Sequence, residues 1–89
     1  MANHKSALKR IRQNEKRRLR NRSARSEIRT TIKSALAAAT EGKKEEADSI
    51  VKKAAKLLDK SVVHGVHHRK NASRRISRLT KRVSSLLAS

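Results

Sequence analysis

The chain contains no cysteine, no proline and no aromatic residue, has only two glycines, Gly42 and Gly65, and carries few acids. Without cysteine there are no disulfides, thiolate zinc sites or thiol nucleophiles, which fits a reducing compartment. Without Phe, Tyr or Trp the chain lacks the stacking platforms on which single-strand readers lay unpaired bases. Any nucleic-acid recognition must therefore use phosphates, riboses and shape. No apolar run approaches the roughly 18 residues that a membrane span needs. Two isolated glycines cannot form a phosphate-binding loop, and the absence of proline leaves long stretches free to stay helical.

What is present is positive charge. The 89 residues hold 25 Lys plus Arg against 7 Asp plus Glu, a formal net charge of +18. A polyanion is the natural partner, because neutralising its phosphates releases condensed counterions and relieves the chain's own repulsion. The length allows one domain. Its large apolar residues are nearly all Leu, Ile and Val, supplemented by twelve alanines. So small a core needs outside stabilisation, which RNA could supply; folding and binding are expected to be coupled.

The glycines interrupt a helical pattern and divide it into three. The spacing predicts helices over about 5–40, 44–64 and 68–88, with Gly65 as the left-handed residue that ends the second. Ile28, Ile32, Ala35 and Ala39 form one stripe; Ala47, Val51, Ala54 and Leu58, widened by Ile50 and Leu57, form a second. Ala72, Ile76, Leu79, Val83 and Leu86 form a third. Short connections favour antiparallel neighbours, so the expected fold is all-α: a three-helix up-down-up bundle with a long, projecting N-terminal helix. Charge is uneven: residues 1–33 hold twelve bases and two acids, 34–64 six and five, and 65–89 seven and none. The outer helices are the expected binding elements.

The first half of the first helix has no dry face. Bases at 9, 10, 12, 16, 17, 18, 20, 22, 25 and 29 point around the whole axis, and Leu8, Ile11 and Leu19 are too few to bury it. Such a helix is either solvated or enclosed by a partner. Arginines dominate the run Lys16-Arg17-Arg18-Leu19-Arg20-Asn21-Arg22 and recur at Arg25 and Arg29. Their planar forks bind phosphate, while Gln13, Asn14, Asn21 and Ser23 offer neutral groups to ribose hydroxyls. A flexible basic tail that orders on binding is the plainer alternative. A second cluster, His68-Arg69-Lys70-Asn71-Ala72-Ser73-Arg74-Arg75, opens the third helix. It continues to Arg78, Lys81 and Arg82, with Arg74, Arg78 and Arg82 four apart on one face; its plainer reading is a charged, soluble surface.

His64, His67 and His68 suggest a metal, but Gly65 breaks the helical spacing and no thiolate or nearby carboxylate completes a site. After loss of Met1, Ala2-Asn3-His4 would present an amine, two amides and an imidazole suited to Cu(II) or Ni(II). The basic, Ser-containing start also has the look of a transit peptide, yet no break separates it from the following helix. No catalytic constellation is present, and neither an enzyme nor a cofactor is expected.

Taken together, Met1-Ala2-Asn3, Lys5-Ser6-Ala7, Lys9-Arg10, Arg17, Asn21, Arg25-Ser26, Arg29-Thr30 and Lys33, followed by Gly65, His68, Ala72, Arg74 and Ser77-Arg78-Leu79, resemble the bacterial small-subunit ribosomal protein family numbered twenty. The resemblance spans essentially the whole chain. It departs from the family pattern at Arg69-Lys70-Asn71 and Ser73, and at Ile76, where the family often has Lys. Membership implies a three-helix bundle that binds 16S rRNA directly and bridges RNA helices during assembly. Carried over by position, it implies RNA contacts from Lys5, Lys9, Arg10, Arg17, Asn21, Arg25 and Arg29, and from His68, Arg74 and Arg78. The charge clusters add Arg12, Lys16, Arg18, Arg22, Lys70, Asn71 and Arg75. Expected partners are small-subunit rRNA and other small-subunit components, with no membrane or small-molecule substrate. A DNA-compacting protein of the nucleoid type is the main rival from charge alone. A membrane-active amphipathic peptide is disfavoured, since basic residues all round the first helix leave no broad apolar face.

Overall fold

Two glycines in the left-handed region, Gly42 (φ 75°) and Gly65 (φ 74°), cut the chain into its elements. The structure is a computed structural model that describes residues 2–88, with side chains described from Lys5 to Ala88. Three helices follow one another: α1 (Ala2–Thr40), α2 (Lys44–Val63) and α3 (Arg69–Ala88). Each packs on the other two, giving the expected up-down-up bundle.

Both glycines close their helices in the same way. After α1 the Lys43 N–H donates to Ala38 O at 3.0 Å and the Gly42 N–H to Ala39 O at 3.1 Å. After α2 the Val66 N–H donates to Ser61 O at 2.8 Å and the Gly65 N–H to Val62 O at 3.1 Å. These paired bonds satisfy the terminal carbonyls of a helix and require a left-handed residue that glycine adopts without strain. Val66, the residue after Gly65, is buried and anchors the second turn.

The ends differ slightly from the expected bounds. Nothing before Lys5 breaks a helix, and α1 begins at Ala2. α2 stops at Val63 because His64 is already its C-cap. α3 starts at Arg69 because the His68 Nδ1 accepts the Lys70 N–H at 3.1 Å, making His68 the N-terminal cap. The side chains of Ala2, Asn3 and His4, on which the copper or nickel reading depends, lie outside the described ones, as does Met1.

The core is two linked clusters. One gathers Ala35, Ala38, Ala39, Ala47, Ala54, Leu79 and Val83; the other gathers Ile28, Leu58 and Ala72, and Ile32 packs against both. Ile76, placed in the core by periodicity, is partly buried against the second. Among the described residues, six of the eleven buried apolar side chains are alanine, and Leu58 is the one large side chain that is fully buried. Alanines let helices approach closely but remove little apolar area from water, so the bundle is held together by a narrow margin.

Among the described side chains no buried residue of α1 precedes Ile28, and every one from Lys5 to Arg20 is exposed. At 1.5 Å per residue the 39-residue α1 is about 58 Å long, and roughly half of it extends past its partners. The molecule accordingly measures 65 × 21 × 14 Å.

Candidate nucleic-acid interface

The projecting half of α1 presents Lys5, Lys9, Arg10, Arg12, Lys16, Arg17, Arg18, Arg20 and Arg22 to solvent on all sides. Leu8, Ile11 and Leu19 are exposed here too. One cation is internally engaged: Glu15 accepts from Arg18 Nη2 at 2.6 Å and from Nε at 3.2 Å. That hydrogen bond, then the charge attraction, holds the Glu15 carboxyl below and the Arg18 guanidinium above their ordinary values. An exposed pair one helical turn apart adds little to stability. It does orient the guanidinium along the helix.

Where α1 enters the bundle, its bases line a groove. Arg18, Asn21, Arg22, Arg25, Ser26 and Arg29 surround one cleft of about 580 Å³. Arg25 and Arg29 are shared with a second, of about 490 Å³, completed by Ile32, Lys33, His67 and Arg75. The two form one continuous basic surface along α1 that reaches across to α3. Asn21 is half-buried within it, and its Oδ1 is buried without a hydrogen-bond partner, an acceptor left unsatisfied by the folded chain.

The structure therefore brings Arg18, Asn21, Arg22, Arg25, Arg29 and Arg75 together. Lys5, Lys9, Arg10, Arg12, Lys16 and Arg17 stay on the projecting arm; Lys5 is about 30 Å along the axis from Arg25. On α3, Lys70, Arg74 and Arg78 are exposed, and Arg74 is turned about 100° around the helix from Arg75. Asn71 is half-buried and its Oδ1 accepts Arg75 Nε at 2.8 Å, which steadies that guanidinium. The His68 ring, exposed, spends Nδ1 on the cap and keeps Nε2. The other cluster of sign-paired charge is at the first turn, where Lys43 Nζ lies 3.1 Å from Glu41 and 3.8 Å from Glu46. Its ammonium is held above the ordinary lysine value, chiefly by the Glu41 hydrogen bond.

Sequence reading missed Lys33 and His67 as members of the groove. The step from Arg25 to Arg29 to Lys33 is four residues each time, a signal available in the sequence. His67 had no such signal, since the turn at Gly65 and the bonding of Ser61 place it. Its Nδ1 lies 3.0 Å from Ser61 Oγ, and the buried Ser61 hydroxyl donates to Leu58 O at 2.6 Å. The Ser61 oxygen can then only accept, so His67 carries its proton on Nδ1. Desolvation, then the charges of Arg75 and Arg25, hold the His67 pKa below the ordinary histidine value. Among the described residues no group of three or more His, Asp or Glu side chains comes together to hold a metal, and no helix is long and apolar enough to cross a membrane.

Comparison with known proteins points to one family. The family described as ribosomal protein S20 matches residues 2–84. A small ribosomal subunit protein bS20 from Syntrophus aciditrophicus is 51% identical over 88 residues, covering 99% of each chain. Its counterpart from Trichlorobacter lovleyi is 49% identical over 86 residues, 97% of this chain and 99% of the relative. One from Salinispora tropica is 48% identical over 88 residues, 99% of this chain and all of the relative. With the family pattern running through nearly every residue of all three helices, the chain belongs to the ribosomal protein S20 family.

Proposed function

We propose that this protein is a structural, non-enzymatic component of the small ribosomal subunit in the cytoplasm, in keeping with relatives that are named small ribosomal subunit proteins, and that it binds 16S rRNA directly. The observation that carries the RNA reading is the uncompensated basic surface running from the projecting arm through the groove to α3. Among the described residues only three ion pairs form, and of the candidate RNA-binding cations only Arg18 takes part in one. A surface of that kind is complemented by a polyanion, which supplies the missing charge and releases its condensed counterions.

The shape supports a bridging mode. The exposed arm extends roughly 28 Å past the bundle, far enough for one RNA helix to meet the arm while another meets α3. Lys5, Lys9, Arg10, Arg12, Lys16, Arg17 and Arg22 would neutralise phosphates around the arm. Arg25, Arg29 and Arg75 would do so at the groove, and Lys70, Arg74 and Arg78 on α3. Asn21, Asn71 and His68 supply neutral polar groups nearby. Bringing two RNA helices together is opposed by phosphate repulsion, and a cationic wedge between them removes it.

The test is competition binding across a salt series, with small-subunit rRNA set against duplex DNA and an unrelated structured RNA. Preference for the rRNA that persists as salt rises supports the proposal. Equal binding to all three that vanishes together would replace it with generic polyanion binding, the behaviour of a DNA-compacting protein.

A further inference from the structure

The seam between α1 and α3 contains an electrostatic conflict. Arg25, Arg29 and Lys33 come to the 490 Å³ cleft from α1 and Arg75 from α3, yet no carboxylate lines it. Glu27, the nearest acid in sequence, lines clefts elsewhere on α1, with Leu57 and Lys60 in one and Lys53 in another. Residues 65–89 contain no acid at all. Docking α3 on α1 through Ile28, Leu58 and Ala72 thus forces four cations toward one concavity with nothing of opposite sign. All four side chains are exposed, so water and salt soften the repulsion but supply no fixed charge of opposite sign.

We propose that this cleft seats one phosphate of an RNA backbone, gripped from α1 by Arg25, Arg29 and Lys33 and from α3 by Arg75, so that bound RNA locks the two helices together. The proposal deepens the RNA-binding reading and rests on it. Two details fit the role. Asn71 occupies Arg75 Nε at 2.8 Å, leaving the two terminal guanidinium nitrogens as a fork for an anion. His67 lines the same cleft with Nδ1 committed to Ser61, so Nε2 is the ring nitrogen left over. The charged groups around it are Arg25, Arg29 and Lys33 from α1 and Arg75 from α3; α2 contributes the Ser61 hydroxyl. An anion in the cleft would cancel the cationic field that opposes His67 protonation, and the protonated Nε2 would donate to it. His67 is therefore a built-in reporter of occupancy.

The experiment follows the His67 ring signals by NMR through a pH titration of the full chain. Conditions are sodium chloride alone, inorganic phosphate at matched ionic strength, and a short RNA duplex at matched ionic strength. Variants Arg75→Gln and Lys33→Gln alter exposed cleft residues, and Lys52→Gln, an exposed lysine of α2 outside the basic surface, serves as the control of equal charge change. The expected result is a His67 midpoint raised by about one unit with phosphate and with RNA relative to chloride. That rise should be lost in both cleft variants and kept in Lys52→Gln. No rise beyond chloride, an equal rise in all variants, or a rise with inorganic phosphate but not with RNA would each overturn the assignment. Because the duplex carries no ribosomal sequence, the outcome is separate from the rRNA preference: loss of that preference with an intact His67 response would sink the ribosomal reading and leave the phosphate seat standing.

Discussion

Leu58 is the side chain on which the free protein's stability most depends. It is fully buried, on α2, in a cluster with Ile28 from α1 and Ala72 from α3, so truncation to alanine leaves a void where all three helices meet. Large-to-small changes at such sites cost about 2–5 kcal/mol, and the value rises when neighbours cannot collapse into the void. One of the cluster's three buried members is already alanine, with no side chain to extend, which places Leu58→Ala at about 3–4 kcal/mol. A chain of this length is stable by about 4–13 kcal/mol, and an alanine-rich core under strong net positive charge belongs toward the bottom of that range. The variant should therefore lose most of its stability, with a melting temperature lower by roughly 12–32 °C. Urea denaturation followed by far-UV circular dichroism reads it directly, with Val63→Ala as the comparison. Val63 is 82% exposed, and its truncation should change stability by less than about 0.5 kcal/mol. A Leu58→Ala loss below about 1 kcal/mol would refute the claim that this cluster holds the bundle together.

Arg17→Ala should weaken rRNA binding and lower the log–log salt slope by about 1 while leaving the urea midpoint unchanged, since Arg17 is exposed on the arm; filter binding across a salt series checks it. Gly65→Ala should destabilise by about 1–2 kcal/mol, because φ is 74° while nothing lies within 4 Å of an added Cβ, so the effect is backbone strain alone. A D-alanine at the same position, introduced by chemical synthesis, should be tolerated. The depressed His67 pKa makes folding favour the neutral ring: this contribution is complete above pH 6.5 and is lost as pH falls from 6.5 through the lower folded-state value. His67→Gln should flatten that part of the pH–stability curve, read as urea midpoints between pH 5 and 7.5.

The sequence by itself determined the elements, because the causes are local. Periodic Ile, Leu, Val and Ala mark three stripes, and two glycines mark two reversals where a left-handed residue is required. Bases on every side of the first half of α1 already say that no protein face covers it, and those side chains are indeed exposed. The tertiary structure alone decided which charges meet. Arg25 and Arg75 are fifty residues apart, and whether they face one another depends on how far α1 and α3 are rotated and offset, which is set by the combined fit of Ile28, Leu58 and Ala72. The same holds for His67. Its place in the cleft follows from a turn geometry and a Ser61 hydroxyl oriented by the Leu58 carbonyl, neither of which has a periodic signature. Helical periodicity records which way each residue points on its own helix; it holds no information about which neighbour stands there, because that is settled only when the three stripes pack together.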